Sequence, residues 1–322
     1  MKINLKYFLV AAEEMNFARA ARRLYVSPQC LSNHIKRLES SFKATLFQRK
    51  PKLALTQEGE AVVKSLSQIQ IIENSLESEL NEIKSGSSGT LRVGIHSTRS
   101  RFLLPLVIGE YRKLYPNVKL SLHSDVTSGL EALVLRGKLD LFIGRNTATM
   151  PGLNTILLQE ESMYLIVSDD LLAKYFPKPY PKKKASQKGV YLTDFKNVPF
   201  LQNEDTSNIT IALKEFADQN NLTLNVVLQV SDSGTHFYLC EKGYGAFMCP
   251  ETIVASRQKL YGTLNFNVFP IIDFSPVNRI VLGYHKDTFL PRYAKDFIKI
   301  TKHIYQGLKY FTGESSQVSR LI

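Results

Sequence analysis

The chain has 322 residues, 44% hydrophobic and 22% charged, a length that suggests two or three domains and a balance that excludes wholesale disorder and fibrous folds. No apolar run reaches the ~18 residues of a membrane helix, and the basic start Met1–Lys6 runs into Glu13-Glu14 without a cleavage site, so neither a membrane span nor a signal peptide is expected. Lys and Arg number 41 against 29 Asp and Glu, a formal +12, which favours a polyanionic partner.

The charge is unevenly placed. Residues 1–60 hold 11 basic and 5 acidic side chains, a net +6, whereas residues 61–90 hold 2 and 4, a net −2. Three cysteines, Cys30, Cys240 and Cys249, are odd in number and lack metal-ligand spacing, which predicts reduced thiols in a cytosolic protein. Cys30 reads as a small packing residue.

Ile3, Leu5, Phe8, Leu9 and Ala12 recur at helical spacing and predict an amphipathic first helix. Asn16 can cap a second, Phe17 to Leu24, whose alanines allow close packing. Ser27 is a strong N-cap with Pro28 at the first helical position, where its missing N–H costs nothing. The third helix carries Leu31, Ile35 and Leu38 on one face and Gln29, Ser32, Asn33, Lys36 and Arg37 on others. Two short helices about a tight turn make a helix-turn-helix. Leu46 to Thr56 then reads as two short strands around a basic turn, a wing.

From Gly59 to Lys84, Val62, Ile69, Leu76 and Ile83 recur every seven residues, with Leu66, Ile72 and Leu80 in the adjacent stripe. That seam predicts a dimerising coiled coil, because the first 60 residues offer no evident helix to bury it. Gly86 to Gly89 predicts a flexible hinge. From Thr90 strands and helices alternate, which means a parallel or mixed sheet covered by helices. Strands are expected at 91–95, 118–123, 139–144, 163–167, 226–230 and 279–284, and helices at 102–114, 130–135, 209–220 and 293–310. Lys178 to Lys188, rich in Lys and Pro, predicts a solvated surface loop.

Residues 5–59 closely resemble the DNA-binding domain of LysR-type transcriptional regulators. Leu5, Phe8, Asn16-Phe17, Ala20-Ala21, Leu24, Ser27, Ser32, Ile35-Lys36, Leu38-Glu39, Leu46 to Arg49, Leu55-Thr56 and Gly59 follow the family's pattern in order and spacing. A more diffuse resemblance continues to about residue 300 through Leu104-Pro105, Tyr115-Pro116, Gly137 to Asp140 and Gly243 to Pro250. The resemblance implies a bacterial protein, α/β overall: a winged helix-turn-helix at 1–60, a linker helix and hinge at 61–89, and a two-lobed effector domain like periplasmic binding proteins at 90–322, its second lobe at about 163–268. Two departures stand out. Pro28-Gln29 replaces the usual Gln-Pro order, so operator sequence does not carry over, and Lys43 stands where a Gly usually follows the third helix, which suggests a different turn.

A recognition helix needs short polar groups at its N-terminal end, which enters the major groove. Ser27, Pro28, Gln29, Ser32, Asn33, Lys36 and Arg37 are the candidates, and Gln or Asn can pair bidentately with adenine. Arg49, Lys50 and Lys52 on the wing are phosphate or minor-groove candidates. In the effector domain, loops at strand carboxyl ends should bind ligand. Ser97, Thr98 and Arg99, Thr127 and Ser128, Arg145, and Gln202 and Asn203 occupy such loops, positions that line the inducer site in the family. An anionic or strongly polar small molecule fits hydroxyls, amides and guanidinium. Val62, Leu66, Ile69, Ile72, Leu76, Leu80 and Ile83 are the dimerisation set, for a homodimer or homotetramer. The six histidines lack ligand spacing, and neither a Gly-x-Ser-x-Gly nor a phosphate loop occurs. The expectation is therefore a cytoplasmic, non-enzymatic regulator without metal or cofactor, binding a promoter operator in double-stranded DNA and a small effector. The alternative is a cytosolic solute-binding or enzymatic α/β protein with an appended non-specific nucleic-acid-binding domain.

Overall fold

The computed structural model describes residues 3–308 except 51, 86–87, 148–149, 177–178, 206, 263 and 277. Three helices, α1 (Ile3–Glu14), α2 (Phe17–Arg23) and α3 (Pro28–Phe42), and an antiparallel strand pair, β1 (Phe47–Gln48) and β2 (Ala54–Leu55), form the amino-terminal unit. The caps are those the residue types favour. Asn16 Oδ1 accepts from the amides of Ala18 and Arg19, each at 3.0 Å, and Ser27 Oγ from that of Cys30 at 3.1 Å. Phe8, Ala11, Ala20, Ala21, Leu31, Ile35, Leu46 and Phe47 are buried together. Lys43 closes α3 in the left-handed conformation itself, φ +53°, with its amide donating to Ser40 O at 3.3 Å.

The linker helix α4 (Gln57–Ser85) has 29 residues, about 43 Å at 1.5 Å per residue. The Thr56 hydroxyl accepts from the Gly59 amide at 3.0 Å. A Cβ at Gly59 would stand 2.2 Å from Leu46 O, so only glycine lets this turn approach the wing. Gly86 and Ser87, part of the expected hinge, lie outside the described residues.

Lobe 1 follows with β3 (Gly89–Ile95), α5 (Ser97–Leu114), β4 (Val118–His123), α6 (Thr127–Leu135), β5 (Leu141–Arg145) and β6 (Leu153–Glu160). Lobe 2 comprises β7 (Met163–Val167), α7 (Asp169–Tyr175), α8 (Lys182–Lys188), a 3-10 turn at Leu192–Phe195, β8 (Phe200–Gln202), α9 (Asn208–Gln219), β9 (Val226–Gln229), α10 (Ser233–Glu241), β10 (Phe247–Pro250), α11 (Glu251–Tyr261) and β11 (Asn267–Pro270). The chain then returns to lobe 1 as β12 (Arg279–His285) and α12 (Arg292–Gln306).

Lobe 1 has a five-stranded sheet ordered β4-β3-β5-β12-β6, in which β4, β3 and β5 run parallel and β12 runs antiparallel to both neighbours. Lobe 2 contains the antiparallel sheet β10-β7-β11 and the parallel pair β8-β9. Two connections therefore join the lobes, β6 to β7 and β11 to β12. The lysine-rich stretch is not all loop: Lys182–Lys188 is helical and seats Ala185 in the lobe 2 core. Lys178 and Tyr310 lie outside the described residues.

Candidate functional site

Gln29, Asn33, Lys36 and Arg37 are exposed along one stripe of α3, with Ser32 beside them half-buried. The opposite stripe, Leu31, Ile35 and Leu38, is buried, so the hydrophobic core alone turns the polar one outward. Gln29 Nε2 donates to Asn33 Oδ1 at 3.3 Å, which aligns the two amides one turn apart. Ser27 serves the helix as its cap, and Pro28 begins it. The wing is tied to α3 through Glu39, whose Oε1 accepts from the amides of Leu46 at 2.9 Å and Phe47 at 3.3 Å. Arg49 reaches Glu39 at 3.8 Å and lies over the Phe17 ring, so part of its charge is already answered. Lys50 and Lys52 are exposed.

In lobe 1, the parallel strands β4, β3 and β5 end on one edge and deliver three loops there. His96 leads into α5 and Val126 into α6, and neither offers a side-chain cap to the helix amides. Those donors remain available to an anion. The Arg145 amide donates to Thr127 Oγ1 at 3.1 Å, which fastens the end of β5 to the start of α6. Burial, then the charge of Arg99, lowers the Arg145 pKa, a guanidinium for which no ion pair is seen among the described residues. Burial also lowers that of His96, where the charges of Arg99, Arg145, Asp125 and Asp232 are all felt. Thr98 Oγ1 is buried without a hydrogen-bond partner among the described residues.

Arg99 is placed elsewhere than in the expected ligand shell. Its guanidinium is buried and grips Glu161 in a fork, Nη2 to Oε1 at 2.7 Å and Nη1 to Oε2 at 3.4 Å, with Thr252 Oγ1 at 2.8 Å and the Tyr305 hydroxyl at 3.4 Å. Burial disfavours the charged form, but the Glu161 carboxylate outweighs it and the Arg99 pKa rises. Glu161 also accepts from Thr252 Oγ1, and from Asn278 Nδ2 at 2.6 Å. Glu161 follows β6 and Asn278 precedes β12, so Arg99 pins both inter-lobe connections. A position in a strand-to-helix loop pointed to a ligand contact, whereas a carboxylate 62 residues on had claimed the charge.

The lobes also meet at Arg101 and Asp232, 2.9 Å apart. Asp232 caps α10, its Oδ1 accepting from the Gly234 amide at 3.1 Å. A Cβ on Gly234 would meet the end of the Arg101 side chain, which would have to shift to keep the ion pair. Gln202, buried at the end of β8, accepts at its carbonyl from the Val230 amide at 3.0 Å. Asn203 follows it, its carbonyl accepting from Thr210 Oγ1 at 3.1 Å. His236 is buried against Phe247, and burial lowers its pKa to about 4 despite a raising contribution from the Gln202 backbone. The roles of Glu161 toward Arg99 and of Asp232 toward Arg101 carried no readable signal, because each partner is distant in sequence.

Comparison with known proteins decides the family. Residues 84–304 match the family described as LysR substrate binding domain, and residues 4–60 match the bacterial regulatory helix-turn-helix proteins of the lysR family. The chain belongs to the LysR family. It is a DNA-binding transcriptional regulator under effector control. The LysR chain is 26% identical over 304 residues to the regulator AlsR of Bacillus subtilis, covering 92% of this chain and 94% of that one. It is 25% identical over 303 residues to HcaR of Escherichia coli, an operon transcriptional activator, covering 93% and 96%. Among solved structures, a full-length OxyR variant from Pseudomonas aeruginosa aligns with TM-score 0.64 at 20% identity over 98% of this chain and 99% of that one. CbnR in complex with its target DNA aligns with TM-score 0.57 at 20% identity over 94% and 99%.

In this LysR regulator the seam of α4 divides. Val62 and Leu66 pack into the winged-helix core, so the first two turns do find cognate helices. Beyond them Ile69, Ile72, Leu76, Leu80 and Ile83 are exposed, Ile72 by 65% and Ile83 by 76%. Among the described residues no group of His, Cys, Asp or Glu side chains is placed to hold a metal ion, and no helix is long and apolar enough to cross a membrane.

Proposed function

We propose that the regulator reads its operator with Gln29, Ser32, Asn33, Lys36 and Arg37, held in register by the Ser27 cap and Pro28, while Arg49, Lys50 and Lys52 hold phosphates. The observation that supports this most is the exposed polar stripe on a capped helix whose opposite stripe, Leu31, Ile35 and Leu38, is buried in the core. Amide side chains near the helix start suit adenine edges, and the wing cations carry no sequence information of their own. The units we assign are a winged helix at 1–60, a linker at 61–89 and an effector domain at 90–322, with a second lobe at about 163–268. The relatives are transcriptional regulators, not enzymes, and a place in the cytoplasm or nucleoid follows from a DNA-binding role.

The effector, in this reading, is a small anion or strongly polar metabolite between the lobes. Ser97, Thr98, Thr127, Ser128 and Arg145 from lobe 1 and Gln202 and Asn203 from lobe 2 contact it, and Arg99 supports the site from behind. Among the described residues, the unpartnered Thr98 hydroxyl, the uncapped start of α5 and the Arg145 charge without an ion pair favour an anion. Two copies pair through the exposed stripe of α4, and two such dimers can make a tetramer. Selection of bound sequences from a random duplex pool tests the reading. An enriched near-palindrome with half-sites one or more helical turns apart is expected; uniform recovery of all sequences would contradict it.

A further inference from the structure

The helix α4 carries a second stripe, on the side away from the exposed apolar one. Asn74 Nδ2 donates to Gly137 O at 2.7 Å, and Gln70 Nε2 supports Asn74 Oδ1 at 3.0 Å. Further along, Ser75 Oγ accepts from the Phe289 amide at 3.0 Å and Glu82 Oε1 from that of Arg292 at 3.2 Å. Every one of these partners belongs to lobe 1. Gly137 has φ +66° and lies so close to Ile71 that a Cβ would stand 3.0 Å from Ile71 Cγ1. Ile71 is accordingly buried.

The turn that makes this contact, Arg136 to Lys138, ends α6. Lys138 Nζ continues past α4 to Glu13 on α1, 3.2 Å away. Glu13 in turn holds Arg23, in the last turn of α2, at 2.9 Å. At its other end α6 starts in the cleft, where Thr127 accepts from Arg145. Nine residues, about 13 Å of helix, therefore separate the cleft from a chain of contacts that ends in the helix-turn-helix.

We propose that α6 and its terminal turn are a coupling rod: they fix the helix-turn-helix against the linker, and a ligand that moves the start of α6 moves that dock. The inference rests on the cleft and DNA-binding roles given above and adds the element that joins them. Its physical basis is that a short helix transmits displacement as a rigid body, and that two recognition helices bind a two-part operator best when their spacing is fixed beforehand.

The test uses the full-length protein and an operator from the selection above. A zero-length carbodiimide should join Lys138 to Glu13, and mixing isotope-labelled with unlabelled chains should show the bond within one chain. Lys138→Glu and Asn74→Ala, both away from the DNA-facing stripe, should each weaken binding to the full operator about five-fold or more, with half-site binding changed less than two-fold. Thr127→Val, at the cleft end, should lower the crosslink yield by at least half. Absence of the within-chain crosslink, or equal losses on half-site and full operator, would overturn the dock. An unchanged yield in Thr127→Val would overturn the rod. Failure to select any operator would count against the DNA-reading assignment itself, and the crosslink would still decide the dock.

Discussion

Lys43 holds backbone space that suits glycine, since an L side chain in the left-handed region meets its own carbonyl. Lys43→Gly should therefore raise stability by about 1 kcal/mol, read as a higher denaturation midpoint with unchanged operator binding. Arg99 presents the opposite case. Arg99→Ala would strand the Glu161 carboxylate, whose side chain is 0% exposed, at a cost of about 3–5 kcal/mol. Replacing both residues with methionine should cost far less, and chemical denaturation separates the two outcomes. His236 supplies part of the pH dependence, beside His96 and His285, whose pKa values burial also lowers. The His236 pKa of about 4 lies below the ordinary value near 6.5, so the unfolded chain binds the extra proton between those limits. Stability from its neutral ring is complete above about pH 6.5 and falls by up to about 3 kcal/mol as pH drops to 4. His236→Leu should flatten that part of the stability–pH curve, and an unaltered slope would assign acid sensitivity to other groups.

Among the elements, legibility followed how local the cause was. The starts of α2 and α3 were readable because Asn16 and Ser27 accept from amides two or three residues away and Pro28 fits the first helical position. The strand–helix alternation of lobe 1 was readable from burial periodicity. Helices α7, α10 and α11 were not, since short segments in lobe 2 lean on tertiary packing more than on a pattern of their own. The same divide runs through the cleft. Loops at the ends of β3, β4 and β5 follow from topology, but the fate of Arg99 depends on Glu161, and the second contact between the lobes depends on Arg101 meeting Asp232 131 residues away. On α4 the heptad spacing was visible and its division was not, because Val62 and Leu66 are claimed by a core assembled from α1 to α3. The exposed remainder predicts that Leu76→Glu, which sets a charge against its own twin, dissociates the dimer. Sedimentation should then give a monomer with the effector domain still folded; an intact dimer would move dimerisation to other surfaces.

Across the whole molecule, α4 separates two jobs by its two faces. One face meets lobe 1 through Gln70, Asn74, Ser75 and Glu82; the other leaves Ile69, Ile72, Leu76, Leu80 and Ile83 exposed, the stripe we propose pairs with a second copy. Charge is divided likewise, with a net +6 on the first 60 residues and −2 on the next 30, so attraction to DNA is focused on the winged helix. The central claim is that the stripe on α3 reads sequence, and not merely phosphate charge. Competition titrations of Gln29→Ala and Asn33→Ala, on the selected operator and on random duplex at fixed salt, test it most directly. At least one variant should lose about 1–3 kcal/mol of discrimination at a single base position while its affinity for random DNA stays within two-fold. Equal losses on operator and random DNA in both variants would contradict the claim.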